Sequence, residues 1–155
     1  MIKVIAALLL QKEATLSSAE SCTGGKVGSL ITSMAGASQI YKGGVIAYDN
    51  KVKEEVLSVP AQLIDIYGAV SRQCVEAMAS GVQRLMHTEY AVATSGIAGP
   101  EGGSEEKPVG TVWIAVASPQ NVFSQKFIFS GNRITNIKQF SAAALNMLHL
   151  TLLSQ

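Results

Sequence analysis

Five consecutive small residues, Ser21-Cys22-Thr23-Gly24-Gly25, follow a short β-compatible stretch and precede a segment with helical apolar spacing. A residue just ahead of a helix faces unpaired backbone N–H groups and the positive end of the helix dipole. Such a turn could cradle a phosphate, or hold the oxygen anion formed when a serine attacks an amide. One well-aimed donor contributes ~2.7–4 kcal/mol in an oxyanion hole, so the amides of Thr23, Gly24 and Gly25 would matter to rate. A plainer reading makes Ser21 a helix cap and lets Gly24 and Gly25 bring backbones close. A third makes Cys22 the nucleophile. Local sequence leaves all three open.

A serine nucleophile needs a base. The two histidines, His87 and His149, follow apolar helical stripes and adjoin no glycine-rich turn, so lysine and tyrosine come first. Asn50 reads as an N-cap, which places Lys53 in the first turn of a helix whose amides repel a cation. A free lysine titrates near ~10.4, and serving as a base at pH 7 takes a drop worth ~4 kcal/mol. The helix terminus supplies only ~0.3–1 kcal/mol, so burial must supply the rest. Glu54 and Glu55 must then point away from Lys53. Tyr48, just upstream, could relay a proton between the two. The same lysines, Lys51 and Lys53, also fit an ordinary solvated helix face.

Other motifs fail on inspection. The P-loop pattern G-x-x-x-x-G-K-[ST] breaks at Glu20, where its first glycine belongs, and at Val27, where its hydroxyl belongs. Ser104 to Lys107 spells S-x-x-K, but in a glycine-rich loop closed by Pro108 rather than at a helix start. Ala93 replaces the first glycine of a G-x-S-x-G elbow around Ser95. No Cys/His spacing suits zinc, so no metal and no cofactor are expected.

These residues must be positioned by a scaffold, and 155 residues suffice for one domain with a core of its own, spanning 1–155. With 48% hydrophobic and 15% charged residues, the composition is that of a folded chain. A net charge of +1 gives no long-range pull toward nucleic acid or an anionic membrane. The opening MIKVIAALLLQKEA imitates a leader, yet Ile2, Ile5 and Leu9 fall at helical spacing. No run reaches the ~18 apolar residues of a membrane span. Only Cys22 and Cys74 are present, as expected of a reduced, cytoplasmic protein.

Apolar periodicity predicts strands at ATLSSAES, GGVIAYD (a buried strand), YAVATS, TVWIAVAS and NVFSQKFIFS. It predicts helices at GGKVGSLITSM, KVKEEVLSV, AQLIDIYG, from Ser71 through Met86, and from about Asn132 to the end. Pro119-Gln120 turns between the last two strands. Interleaved helices and strands point to an α/β domain, three-layer α/β/α with a mixed, mostly parallel sheet.

Four ordered blocks, AESCTGG, GGVIAYDNKVKEEVLSV, GAVS and SGIAGPEGGSEEKPVGTVWIA, resemble the CinA C-terminal family. More narrowly, they resemble its stand-alone nicotinamide-nucleotide amidases. The similarity runs from the first helix to the FSGNR segment before the last one. It implies a metal-independent amidohydrolase that converts nicotinamide mononucleotide to nicotinate mononucleotide and ammonia, in pyridine nucleotide salvage. It also implies catalytic roles for Ser21, Lys53 and Tyr48. The loop Ser95, Gly96, Ala98 and Gly99 would offer amides to the ribose phosphate, with Arg133 as its cationic partner and Lys107 as competitor. A small-molecule nucleotide partner and a homo-oligomer are implied as well. Two positions depart from many relatives, Glu101 (Gly or Asp) and Asn132 (Asp). The pyrophosphatase domain of longer CinA proteins is not expected here. The alternative is a non-catalytic nucleotide-binding regulatory module of the same family.

Overall fold

Leu16 and Ala19 point to opposite faces of a strand that is buried along its whole length, and everything else packs around it. The computed structural model describes all 155 residues. Helix α1 (Ile2–Gln11) leads into that strand, β1 (Leu16–Glu20), and then into α2 (Lys26–Thr32). A short turn of 3-10 helix precedes β2 (Tyr41–Ile46), followed by α3 (Asn50–Glu55), α4 (Ala61–Tyr67) and α5 (Arg72–Met86). Strands β3 (Tyr90–Gly96), β4 (Thr111–Ala117) and β5 (Val122–Ile128) complete the sheet, and α6 (Arg133–Ser154) closes the chain. No helix is long and apolar enough to cross a membrane.

The five strands lie in the order β2-β1-β3-β4-β5. β1 is parallel to both β2 and β3, while β4 is antiparallel to β3 and to β5. Four strands therefore point one way and β4 alone runs back. The sheet is mixed and the layers are three, as the interleaved periodicities imply. Alternation along β4 sorts the two outer layers. Val112, Ile114 and Val116 face α1, α2 and α6, packing with Ile5, Leu9, Val27, Phe140 and Leu148. Ala115 and Ala117 face α5, joined by Ala91 and Ala93 of β3 and by Val75, Met78 and Val82 of the helix. Small residues on this second face let α5 lie close to the sheet.

Capping chemistry is legible in part. Ser71 accepts from the Cys74 amide at 3.2 Å and Asn132 from the Thr135 amide at 2.9 Å, starting α5 and α6 where the sequence places them. The α3 cap is different: Asp49, not Asn50, accepts from the Lys51 amide at 2.7 Å. Either side chain can cap, and the tertiary position of Asn50 decides between them. Strand β2 also differs from expectation. It is an edge strand rather than a buried one, so its residues alternate between half-buried and exposed and Ile46 is 55% exposed.

Gly81 sits inside α5, where alanine would favour the helix by ~1 kcal/mol. Its Cα faces the carbonyl of Leu57, and a Cβ there would meet that oxygen at 2.0 Å. Gly81→Ala is therefore expected to destabilise the protein, by ~1–3 kcal/mol from overpacking, despite the better propensity. Urea denaturation measures it; an unchanged or higher midpoint would refute this account of the α5 contact.

Candidate active site

The three adjacent parallel strands, β2, β1 and β3, have their carboxyl ends at the same end of the sheet. Ligand sites in open α/β sheets lie outside such carboxyl ends. Here the chain leaves β1 into the Ser21–Gly25 turn, β2 into Ala47–Asp49 and β3 into the long loop before β4. A cleft of about 260 Å³ opens among them, lined by Ser21, Cys22, Tyr48, Gly96 to Gly99, Glu101, Gly102 and Arg133.

Ser21 and Lys53 meet at its floor. The Lys53 ammonium nitrogen lies 3.1 Å from Ser21 Oγ, 3.2 Å from the Tyr48 main-chain carbonyl and 3.5 Å from Asn50 Oδ1. The lysine is 1% exposed and no carboxylate comes within ion-pair distance of it. Burial holds its pKa below the ordinary lysine value, opposed by Cys74, Cys22 and Asp49. Glu54 turns outward to Lys51 at 3.5 Å and Glu55 is exposed, so neither restores the charge. A buried amine without a counter-ion, touching a hydroxyl, is the arrangement general-base activation of serine requires.

Glu20 explains how the turn holds its shape. Its carboxylate, 2% exposed, accepts from the amides of Gly25 (3.0 Å), Val27 (3.1 Å) and Gly28 (2.8 Å), and from the Thr23 hydroxyl. The free amides at the start of α2 are thus filled by a side chain of the same turn. A phosphate has no place there. The residue that breaks the P-loop pattern in sequence occupies the anion cradle in space. Its position one residue before Ser21, with two glycines following, was the available clue.

Several expected roles are corrected. The Gly24 amide donates to the Ser21 carbonyl at 3.1 Å and the Gly25 amide to Glu20, so neither is free for an oxyanion. The Thr23 amide donates to no protein atom, but the residue is 3% exposed and does not line the cleft, and its hydroxyl is bonded to Glu20 and Thr94. Tyr48 does not bridge Ser21 and Lys53. Its phenol, on a 60% exposed side chain, receives a hydrogen bond from Arg133 Nη2 at 3.1 Å, and only its main-chain carbonyl touches Lys53. Ser95 is 1% exposed and its hydroxyl donates to the Ala69 carbonyl at 2.8 Å, outside the cleft.

Other expected residues do converge. Gly96, Ala98 and Gly99 form one wall. Arg133, the first residue of α6, reaches across to donate to the Gly99 carbonyl at 2.8 Å. Lys107 instead donates to the Tyr67 carbonyl in another pocket, so of the two cations only Arg133 borders Ser21. Asn136, not anticipated from sequence, fixes that wall: wholly buried, it donates to the carbonyls of Ala98 (3.0 Å) and Gly131 (2.9 Å) and accepts from the Gly131 amide. The main-chain amides of Cys22, Ala98 and Gly99 donate to no protein atom and border the cleft. The Cys22 thiol is 7% exposed, and burial pushes its pKa up to about 12, which keeps it protonated and unreactive.

A lysine whose charged form is disfavoured by folding lowers stability wherever the unfolded chain carries that charge. Between the depressed folded pKa and the unfolded value of 10.5, the unfolded chain binds more protons, so stability rises with pH in that window. Lys53→Met is expected to melt higher than the wild type at neutral pH. That advantage should shrink as pH climbs toward 10.5. A melting-temperature series against pH checks both, and a variant less stable at every pH would contradict the burial argument.

Comparison with known proteins completes the picture. The family model described as CinA C-terminal domain matches residues 1–152. A CinA-like protein of Cytophaga hutchinsonii is 48% identical over 140 residues, covering 90% of this chain and 34% of that protein. A putative competence-damage inducible protein of Desulforudis audaxviator is 48% identical over 131 residues, 84% of this chain and 32% of its own length. The chain thus spans about a third of the length of these curated relatives. Among solved structures, a CinA superfamily protein from Klebsiella pneumoniae matches with a TM-score of 0.95 at 32% identity, covering 99% of this chain and 96% of its own. A competence/damage inducible protein from Agrobacterium tumefaciens matches at 0.90 and 35% identity, covering 97% and 94%.

Proposed function

The chain belongs to the CinA C-terminal domain family, and from that premise we propose that it is an amidohydrolase acting on nicotinamide mononucleotide. The observation that carries this reading is the 3.1 Å contact between the buried Lys53 amine and Ser21 Oγ. Neutral Lys53 takes the Ser21 proton as Oγ attacks the carboxamide carbon. The tetrahedral intermediate places its oxygen anion toward the unpaired amides of Cys22, Ala98 and Gly99. Lys53 returns the proton to the departing nitrogen, ammonia leaves, and an acyl-serine remains. Water, deprotonated by the same amine, then releases the nicotinate nucleotide and restores Ser21.

Two further roles belong to this reading. Asn50 Oδ1 and the Tyr48 carbonyl accept from the amine and hold it toward Ser21. Arg133 presents a guanidinium at the cleft rim, suited to bind a phosphate bidentately. The Tyr48 phenol, already bonded to Arg133, positions that cation rather than moving a proton. One chain supplies every group named here, so an oligomer, though proposed from the family, is not needed to assemble the site.

Ammonia release from nicotinamide mononucleotide by the purified protein tests the activity, with nicotinamide and glutamine as controls. Ser21→Ala is expected to lower kcat by about 10³-fold or more, and Cys22→Ala to leave it within several-fold. Activity that survives Ser21→Ala but vanishes with Cys22→Ala would reverse the two roles. Binding of the nucleotide without ammonia release would establish instead a non-catalytic nucleotide-binding module.

Arg133→Ala is expected to raise KM for the nucleotide by about tenfold or more while changing kcat much less, the mark of lost uniform binding. An unchanged KM removes Arg133 from the phosphate site.

A further inference from the structure

Across the sheet from the nucleophile turn, a second pocket gathers a different set of side chains. Ser95 of β3 pairs with Trp113 of β4, and Trp113 with Lys126 of β5, so all three stand in one row on one face. Beside this row a pocket of about 510 Å³ opens, lined by residues of α4 and the start of α5. Tyr67, Arg72, Lys107, Trp113 and Lys126 line it together with one acid, Glu106. It shares no lining residue with the Ser21 cleft.

Three features distinguish this pocket from ordinary surface. First, three cations stand against a single lining carboxylate in a chain whose overall balance is twelve to eleven. Second, those cations are little neutralised. Arg72 pairs with Glu76 at 3.0 Å, but Lys107 and Lys126 have no carboxylate within ion-pair distance. Lys107 is instead anchored by its bond to the Tyr67 carbonyl, 2.7 Å long, which fixes its ammonium at the rim. Third, Trp113 is half-buried, and no other aromatic ring or cation packs on its indole. An indole that packs on the core from one side and lines the pocket, beside two ammonium groups without a carboxylate partner, matches a flat ring that carries phosphate.

We propose that this pocket is a binding site for a nucleoside phosphate, with the base against Trp113 and the phosphate between Lys107, Lys126 and Arg72. Its occupant is a second molecule and not an extension of the substrate. The two linings have no residue in common, and Lys107 and Lys126 belong to this pocket alone. The inference does not rest on amidase activity.

Trp113 is the only tryptophan of the chain and lines this pocket, so its fluorescence reports on occupancy there, and the lysine variants tie the signal to this side of the indole. Adenosine monophosphate, which has no carboxamide to hydrolyse, is titrated into the wild type and into Ser21→Ala. A saturable change in emission, the same in both, is expected. Adenosine and inorganic phosphate should each bind at least about tenfold more weakly, because each offers only half of the recognised chemistry. Lys126→Glu and Lys107→Ala, checked for intact far-ultraviolet circular dichroism, should each weaken binding about tenfold or more. Three results overturn the proposal: no saturable change up to about 10 mM nucleotide, an affinity unaltered in both lysine variants, or inorganic phosphate binding as tightly as the nucleotide. A protein that shows the emission change but releases no ammonia from nicotinamide mononucleotide keeps this site and loses the proposed reaction; the reverse result does the opposite.

Discussion

The structure depends on a lysine kept out of water without a counter-ion. Lys53 is as buried as the leucines of the core, yet its amine faces only a hydroxyl, a carbonyl and an amide oxygen. Burial disfavours the ammonium form, and each neighbour accepts a hydrogen bond without supplying a full negative charge. The three-layer fold makes this arrangement possible. Ala19 and Ala47, both buried, leave room for α3 to lay its side chain beneath the carboxyl end of β1. In terms of stability the position is costly, and stability conceded at one residue is a familiar companion of active sites.

A second buried ionisable side chain is held differently. Glu20 lies on the other face of β1, where three amides and a hydroxyl donate to its carboxylate. Those donors are the ones a helix start leaves unpaired, so the carboxylate completes α2 and locks the turn that carries Ser21. Two adjacent residues of one strand end therefore do different work on opposite faces: the acid builds the turn and the serine presents its hydroxyl. The period of two along a strand is what separates them.

On the far side of the cleft, positioning is done by side chains that bond to the backbone of the loop. Asn136 is wholly buried and spends its amide on the backbone of residues 98 and 131, tying the loop after β3 to α6. Arg133 then spans from α6 to the Gly99 carbonyl and the Tyr48 phenol. The loop that follows β3 is long and rich in glycine, and these bonds give it a defined wall. The wall and the Ser21 turn meet because β1 and β3 are neighbours running in the same direction.

How much of this was legible depended on whether the information was local. Helix stripes, strand runs, the Ser71 and Asn132 caps and the hairpin at Pro119-Gln120 follow from neighbours within a few residues, and they stand where periodicity and turn chemistry place them. The chemical types Ser21 and Lys53 were also visible, because a serine in a small-residue turn and a lysine near a helix start are local patterns, whereas Arg133 came only with the family resemblance. Contacts across the sheet were not. Whether Asp49 or Asn50 caps α3, whether Tyr48 offers its phenol or its carbonyl, and whether the Gly25 amide is free or taken by Glu20 are all questions of direction. A side chain's direction is fixed by what packs against it from elsewhere in the chain. Sequence by itself determined which elements form and which groups could react; the tertiary structure alone decided which of them touch, because a distance of 3.1 Å between residues 21 and 53 is set by the strand order and not by either segment.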